Sequence, residues 1–192
     1  MPLSAPCQPI NFDSHDVYGN RVRLQDFVGK KVLLAFFRDA ACPFCNLRLY
    51  ELTRQYEQLQ ANNLHIIAVF SSPSEDVRRF VARHPRPFTL LSDPNLYLYE
   101  RYGIQHSGWA LVKAILFRMP RIIGGMMKGG HGDMKNPYVK LVPADFLISE
   151  QGEIVHTWYG RDTSDHIPMK NIEAFARDEW PHAATSRKTR LA

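Results

Sequence analysis

An apolar run, Lys31-Val32-Leu33-Leu34-Ala35-Phe36-Phe37, is followed within five residues by Cys42-Pro43-Phe44-Cys45 and then by a long stretch free of proline and glycine. The run is short and does not alternate, which predicts a strand covered on both faces. Pro43 falls where a helix loses nothing by it, at the first helical position. From there to Asn62-Asn63, Cys45, Leu49, Leu52, Tyr56 and Leu59 recur along one helical face. Arg48, Glu51, Arg54 and Glu57 are expected to lie away from that face. A strand needing cover on both sides, followed at once by a long helix, points to a layered α/β fold.

The later segments continue the rhythm. A second buried strand is predicted at 64–70, and Ser71-Ser72-Pro73-Ser74 ends it and supplies N-caps for a helix over 74–83. A third strand at 88–91 precedes a short helix opened by Asp93-Pro94, and segments 145–148 and 154–159 flank Gly152 as a hairpin. A last helix is predicted over 167–177, and a small hairpin over 17–24 with Gly19-Asn20 as its turn. The expectation is a central mixed sheet flanked by helices. The 192 residues suit one domain over 1–182, with a frayed, disordered tail at 183–192.

One stretch breaks the pattern. Residues 106–142 carry six basic side chains against Asp133 alone, a surplus equal to the whole formal charge of +5. Trp109, Val112, Leu116 and Met119 or Ile115 are spaced as an apolar helical stripe would be, and Gly124-Gly125 and Gly129-Gly130 follow. A helical, glycine-rich insertion at about 104–142 is expected, packed on the core, across the rim of the cysteine site, or against a second copy in a homodimer. Its basic surface would attract acidic partners. No apolar run is long enough to span a membrane, and neither membrane nor nucleic acid is an expected partner. The N-terminus has no basic start and no apolar core of a signal peptide, so a cytoplasmic address is expected.

Cys42 and Cys45 form a C-x-x-C, which in a reducing compartment reads as redox chemistry or half a metal site. Structural zinc needs a second ligand pair, and the eight histidines are scattered. A c-type haem needs His after the second cysteine, where Asn46 stands. Neither metal nor cofactor is expected; two inert buried thiols remain the plain alternative. At a helix N-terminus, backbone N–H groups and the helix dipole favour a Cys42 thiolate, with Arg38 adding positive charge. Cys45, one turn further on the apolar face, should be less exposed. Cys42 is thus expected to attack and Cys45 to resolve as an intramolecular disulfide. Cys7, between Pro6 and Pro9, reads as a bystander thiol, with an auxiliary or intersubunit disulfide as the alternative.

Several pieces in order carry a resemblance: Ala5-Pro6; Val22-x-Leu24-x-Asp26-Phe27-x-Gly29-Lys30; and Phe37-Arg38-x3-Cys42-Pro43-Phe44-Cys45-Asn46-Leu47-x-Leu49. Leu91-Ser92-Asp93-Pro94, Tyr102-Gly103, and Val142-Pro143-Ala144-Asp145-Phe146-Leu147-Ile148 follow. Together they resemble the peroxiredoxin-like branch of the alkyl hydroperoxide reductase C / thiol-specific antioxidant (AhpC/TSA) family, within the thioredoxin-fold superfamily. The resemblance implies a thioredoxin-like fold and reduction of peroxides through Cys42, with recycling by a dithiol donor such as a thioredoxin or glutathione system. It implies that Pro143 is cis and lies beside Cys42, where with Arg38 and Pro43 it positions substrate. This chain departs from the family where peroxide-reducing members carry P-x-x-x-T/S-x-x-C: the matching residues are Ala35 and Asp39. A carboxylate at Asp39 would oppose the thiolate unless Arg38 pairs with it or it faces solvent. A disulfide reductase and a non-catalytic redox-sensing protein therefore stand as alternatives. Arg161 is a further candidate for positive charge at the site, against a loop ion pair with Asp162.

Overall fold

The computed structural model describes residues 1–82, 86–104 and 141–180. The insertion expected at about 104–142, apart from its edges, and the tail at 183–192 lie outside these residues. In chain order the elements are β1 (Asp13–His15), β2 (Arg21–Arg23), a 3-10 turn (Leu24–Phe27), β3 (Lys31–Phe37), α1 (Pro43–Ala61) and β4 (Leu64–Phe70). There follow α2 (Ser74–Asp76), running on as a π-helical turn (Val77–Val81), β5 (Thr89–Ser92), α3 (Tyr97–Arg101), β6 (Ala144–Ile148), β7 (Ile154–Tyr159) and α4 (Met169–Ala176).

Five strands make one mixed sheet in the order β5-β4-β3-β6-β7. β3 runs parallel to β4 and antiparallel to β6, so it is the middle strand. Its alternate residues feed two cores. Leu33, Ala35 and Phe37 pack with α1 and α4, while Val32, Leu34 and Phe36 pack with α3 and the N-terminal segment. Burial on both faces is why the run shows no polar alternation. On the second face Phe36, Tyr99, Tyr102 and Phe146 form an aromatic cluster, with Phe36 centred 5.1 Å from both tyrosines.

Helix α1 begins at Pro43 as its spacing required and ends where Asn63 takes a left-handed φ of 59°, a conformation Asn tolerates well. Its apolar stripe is buried, but so is Arg48, contrary to expectation. The Arg48 Nη2 donates to the Ile167 carbonyl at 2.6 Å, tying α1 to the loop before α4. Lys31 ties the other end of the sheet to α4: its Nζ donates to the Ala176 carbonyl at 2.8 Å and pairs with Asp178 at 2.7 Å. A cation there suits the negative end of the helix dipole.

The turn of the first hairpin is built by Asp16, whose Oδ1 accepts the Tyr18 and Asn20 N–H groups at 2.9 and 2.8 Å. The strand before it lies earlier than predicted, at β1. Residues 74–82 do not form one regular helix, and no serine caps α2. The reason is that Ser71 and Ser72 are turned inward, to the loop after β3. Asp93 does cap α3, accepting from Tyr97 N at 3.0 Å and Leu98 N at 2.7 Å.

Asp145 is the one charged residue in β6 and is fully buried. It accepts the Ile167 N–H at 2.8 Å and faces His166 Nδ1 at 3.0 Å. Burial opposes its charge, but the His166 contact and the Arg48 charge hold its carboxyl below the usual value. A group so lowered adds stability above its unfolded pKa of about 3.9 and loses it as pH falls through its folded pKa. Asp145→Ala is expected to cost about 3–5 kcal/mol in urea unfolding at pH 7, with a smaller penalty as the pH is lowered below about 4.

Candidate thiol active site

Chain direction puts the site at the C-terminal end of β3. After Phe37 the backbone leaves the sheet through Arg38, Asp39, Ala40 and Ala41, and Cys42 is the N-cap residue of α1. A buried loop must pair its polar groups, and this one does so with side chains. Ser71 Oγ donates to the Arg38 carbonyl. Ala40 N donates to Ser72 Oγ at 3.0 Å, and Ser72 Oγ in turn donates to Asp39 Oδ1 at 3.1 Å. Asn46 Nδ2 donates to the carbonyls of Ala40 at 2.9 Å and Cys42 at 3.1 Å. The Tyr99 hydroxyl donates to the Phe37 carbonyl from the opposite face of the sheet.

This frame holds Arg38 Nη2 2.8 Å from Cys42 Sγ, with both residues buried. Burial is the largest influence on Cys42 and raises its pKa. It is outweighed by the Cys45 thiol hydrogen bond, the Arg38 charge and the Cys45 N–H, which bring the pKa down to about 6. Cys45 moves the other way: burial, then the hydrogen bond to Cys42 and its charge, push it well above the ordinary value. At pH 7 the arrangement is therefore a thiolate beside a neutral thiol that donates to it.

The expected difference in exposure is not what separates the two: Cys42 is 2% exposed and Cys45 1%. The difference is electrostatic, set by which sulfur meets the guanidinium. Asp39 does not face solvent; its Oδ1 accepts from Ala41 N at 3.0 Å and from Ser72 Oγ at 3.1 Å. Its charge acts instead to help keep Arg38 protonated.

Pro43 starts α1 as expected. Pro143 leads into β6 at the sheet end that carries the site, one residue before Ala144, which pairs with Phe36. The implied cis bond there is corrected: among the described residues the cis peptide bond is Ala5–Pro6. The Pro143 carbonyl accepts the Gly160 N–H at 2.9 Å, so the residue is already engaged in the β6–β7 ladder, and trans is the cheaper isomer for X–Pro by about 0.5–1 kcal/mol. Arg161 lies in the loop after β7. Its side chain is 62% exposed and lies 4.0 Å from Asp165, while Asp162 accepts from Ser164; the guanidinium acting on Cys42 is that of Arg38. Cys7 is half-buried and pairs its backbone with Ile154.

The hydrogen-bonding roles of Asn46, Ser71, Ser72 and Tyr99 at the site are not signalled by the sequence. Their types are ordinary, and only the serine pair directly after a buried strand offered a signal, which read as capping. Asp145 did carry one: a lone carboxylate in an apolar strand needs a buried partner. Among the described residues no group of three or more His, Cys, Asp or Glu is placed to hold a metal ion.

The AhpC/TSA family matches residues 6–157. Peroxiredoxin Bcp of Escherichia coli is 26% identical over 86% of this chain and 91% of its own length. The thiol-disulfide oxidoreductase ResA of Halalkalibacterium halodurans is 31% identical over 51% of this chain and 56% of its own. Among solved structures, that of peroxidoxin BcpB of Mycobacterium tuberculosis superposes with a TM-score of 0.65 at 14% identity, covering 90% of this chain and 96% of that one, a likeness of thioredoxin-type fold.

Replacing Arg38 by Met removes the cation while keeping most of the side-chain volume. The Cys42 pKa is expected to rise by at least one unit, measured as the pH dependence of thiolate absorbance. Alkylation of Cys42 at pH 6.5 should slow about threefold or more, as the thiolate fraction falls.

Proposed function

The chain belongs to the AhpC/TSA family, and from that premise we propose that it is a thiol-dependent antioxidant oxidoreductase that reduces peroxides through the Cys42 thiolate. The carrying observation is the Arg38–Cys42 contact, which helps keep a buried sulfur ionised above about pH 6. The thiolate attacks one peroxide oxygen, the O–O bond breaks, and water or an alcohol leaves with the proton it takes up. Cys42 is then a sulfenic acid. Cys45 attacks the oxidised sulfur, water leaves, and an intramolecular disulfide remains. Two electrons from thiols, such as those of a thioredoxin or glutathione system, return both cysteines to the starting state.

Burial favours a small substrate. A peroxide needs only a narrow approach to a sulfur 2% exposed, whereas a protein disulfide needs the sulfur at the surface. The C-x-x-C and the ResA relative favour a second reading, disulfide exchange with a protein partner. Ala35 and Asp39, in place of the residues that usually attend peroxide, also lean that way.

A donor-coupled assay separates these readings. Hydrogen peroxide or an organic hydroperoxide should be turned over faster than a protein disulfide, with the rate of Cys42 oxidation rising through pH 6 to a plateau. Cys42→Ser should abolish turnover. Cys45→Ser should still oxidise once at Cys42, then over-oxidise or trap mixed disulfides. Faster turnover of the protein disulfide would establish the second reading, and a single oxidation with no turnover under any reductant would make the protein a redox sensor.

A further inference from the structure

Three groups meet at one buried sulfur. Arg38 Nη2 lies 2.8 Å from Cys42 Sγ, and the Cys45 thiol donates to that same sulfur from the first turn of α1. Cys45 Sγ in turn accepts the backbone N–H of Asp39, the residue directly after Arg38. Arg38 is therefore a neighbour of both sulfurs: burial opposes its charge, while Cys42 and then Cys45 favour it. The loop that carries Arg38 and Asp39 is tied to the end of β4 by Ser71 and Ser72 and to α1 by Asn46, which holds the group in one place.

In the reduced protein Cys45 is kept a thiol by its burial, by its hydrogen bond to Cys42 and by the negative charge on Cys42. The last two belong to the thiolate, and both end when that sulfur forms a bond. A sulfenic acid or a mixed disulfide at Cys42 carries no charge. Beside Cys45 there remain the Arg38 charge and the Asp39 N–H, the two influences that favour its own thiolate. The same event takes from the buried guanidinium the anion it touches, and a buried cation is stabilised by an anion close by. Cys45, bonded to that sulfur, is placed to supply one. The other titratable groups nearby are already committed. The Tyr99 hydroxyl on α3 is buried, with its pKa pushed well above the usual value, and the Asp39 carboxylate is held by Ala41 N and Ser72.

We propose that Arg38 serves the two sulfurs in turn: first the Cys42 thiolate and then, once Cys42 has bonded its substrate and lost its charge, the Cys45 thiolate that closes the disulfide. The inference rests on the reading that Cys42 attacks and Cys45 resolves, and it holds for a peroxide and for a disulfide substrate alike. The order of events is built into the contact. A Cys45 that ionised early would repel the Cys42 thiolate and compete with it for the guanidinium, so the second sulfur stays inert until the first has reacted.

With a peroxide, Cys45 gives up its proton and its thiolate attacks the sulfur of the Cys42 sulfenic acid. The S–S bond forms, the S–O bond breaks, and hydroxide leaves and takes a proton to become water. The Cys45 sulfur is oxidised and the Cys42 sulfur reduced in the same step, so no further oxidant or reductant enters. With a disulfide substrate, the same thiolate attacks Cys42 in the mixed disulfide, and the partner's sulfur leaves as a thiolate.

Two measurements test this. Cys42→Ser puts a neutral group where the thiolate stood, and alkylation of Cys45 is followed across pH by peptide mass, which keeps Cys7 apart. Cys45 should then titrate at or below about 8.5, the ordinary cysteine value, and adding Arg38→Met should raise that midpoint by about one unit or more. In the second measurement Cys42 is left in place and oxidised to completion with one equivalent of hydrogen peroxide in the presence of dimedone, which traps sulfenic acid in competition with Cys45. The trapped share of oxidised Cys42 should be about fivefold or more larger in Arg38→Met than in the wild type. A role in the first step alone would slow oxidation and leave that share unchanged. A Cys45 that still titrates well above the ordinary value in Cys42→Ser, a midpoint indifferent to Arg38, or equal trapped shares would each overturn the proposal. Should peroxide leave Cys42 unoxidised, the peroxidase reading fails, and the titration, which uses no peroxide, still decides this one.

Discussion

A guanidinium and two thiols are buried together at the end of the central strand, and the surrounding structure is arranged to make that tolerable. A charge removed from water is costly unless it meets an opposite charge and full hydrogen bonding. Arg38 meets the Cys42 sulfur at 2.8 Å, and ionising Cys42 is the response that suits both. The second thiol then serves the same end, because a neutral Cys45 donates to the thiolate and is thereby held neutral. The hydrogen bond between the two thiols and the Arg38 charge together split two chemically identical side chains, equally buried, into a thiolate and a proton donor.

The loop that carries this group cannot hold itself. It has no ladder partner, so its backbone is satisfied from three directions: by Ser71 and Ser72 after β4, by Asn46 on α1, and by the Asp39 side chain acting on its own loop. Each neutral bond contributes only about 1 kcal/mol net, but each left unmade in the interior would cost about 1–3 kcal/mol. The site's geometry is in this sense a consequence of backbone satisfaction. Tyr99 adds a brace from the other face, which links the aromatic cluster under the sheet to the strand end above it.

Two buried carboxylates show how position changes what a residue does. Asp39, three residues before Cys42, is engaged within its own loop by Ala41 N and by Ser72. Asp145, a hundred residues away in the chain, meets His166, Ile167 and the field of Arg48 on the α1 side of the sheet. The pair of bonds from Arg48 and Asp145 to the two polar groups of Ile167 joins helix, strand and loop at one residue.

What the sequence determined by itself was whatever follows from local period and covalent neighbourhood. The bounds of β3 and β4, the start of α1 at Pro43, the apolar stripe from Cys45 to Leu59, and the late hairpin around Gly152 were all legible. So was the pairing of Arg38 with Cys42, because four residues of one loop cannot lie far apart. Tertiary structure decided the rest. The inward turn of Ser71 and Ser72, the burial of Arg48, the trans Pro143, the surface position of Arg161 and the meeting of Asp145 with His166 all depend on which strands become neighbours and in what register. Register is set by the packing of whole faces, a sum over many weak contacts distant in sequence, and no local pattern encodes that sum.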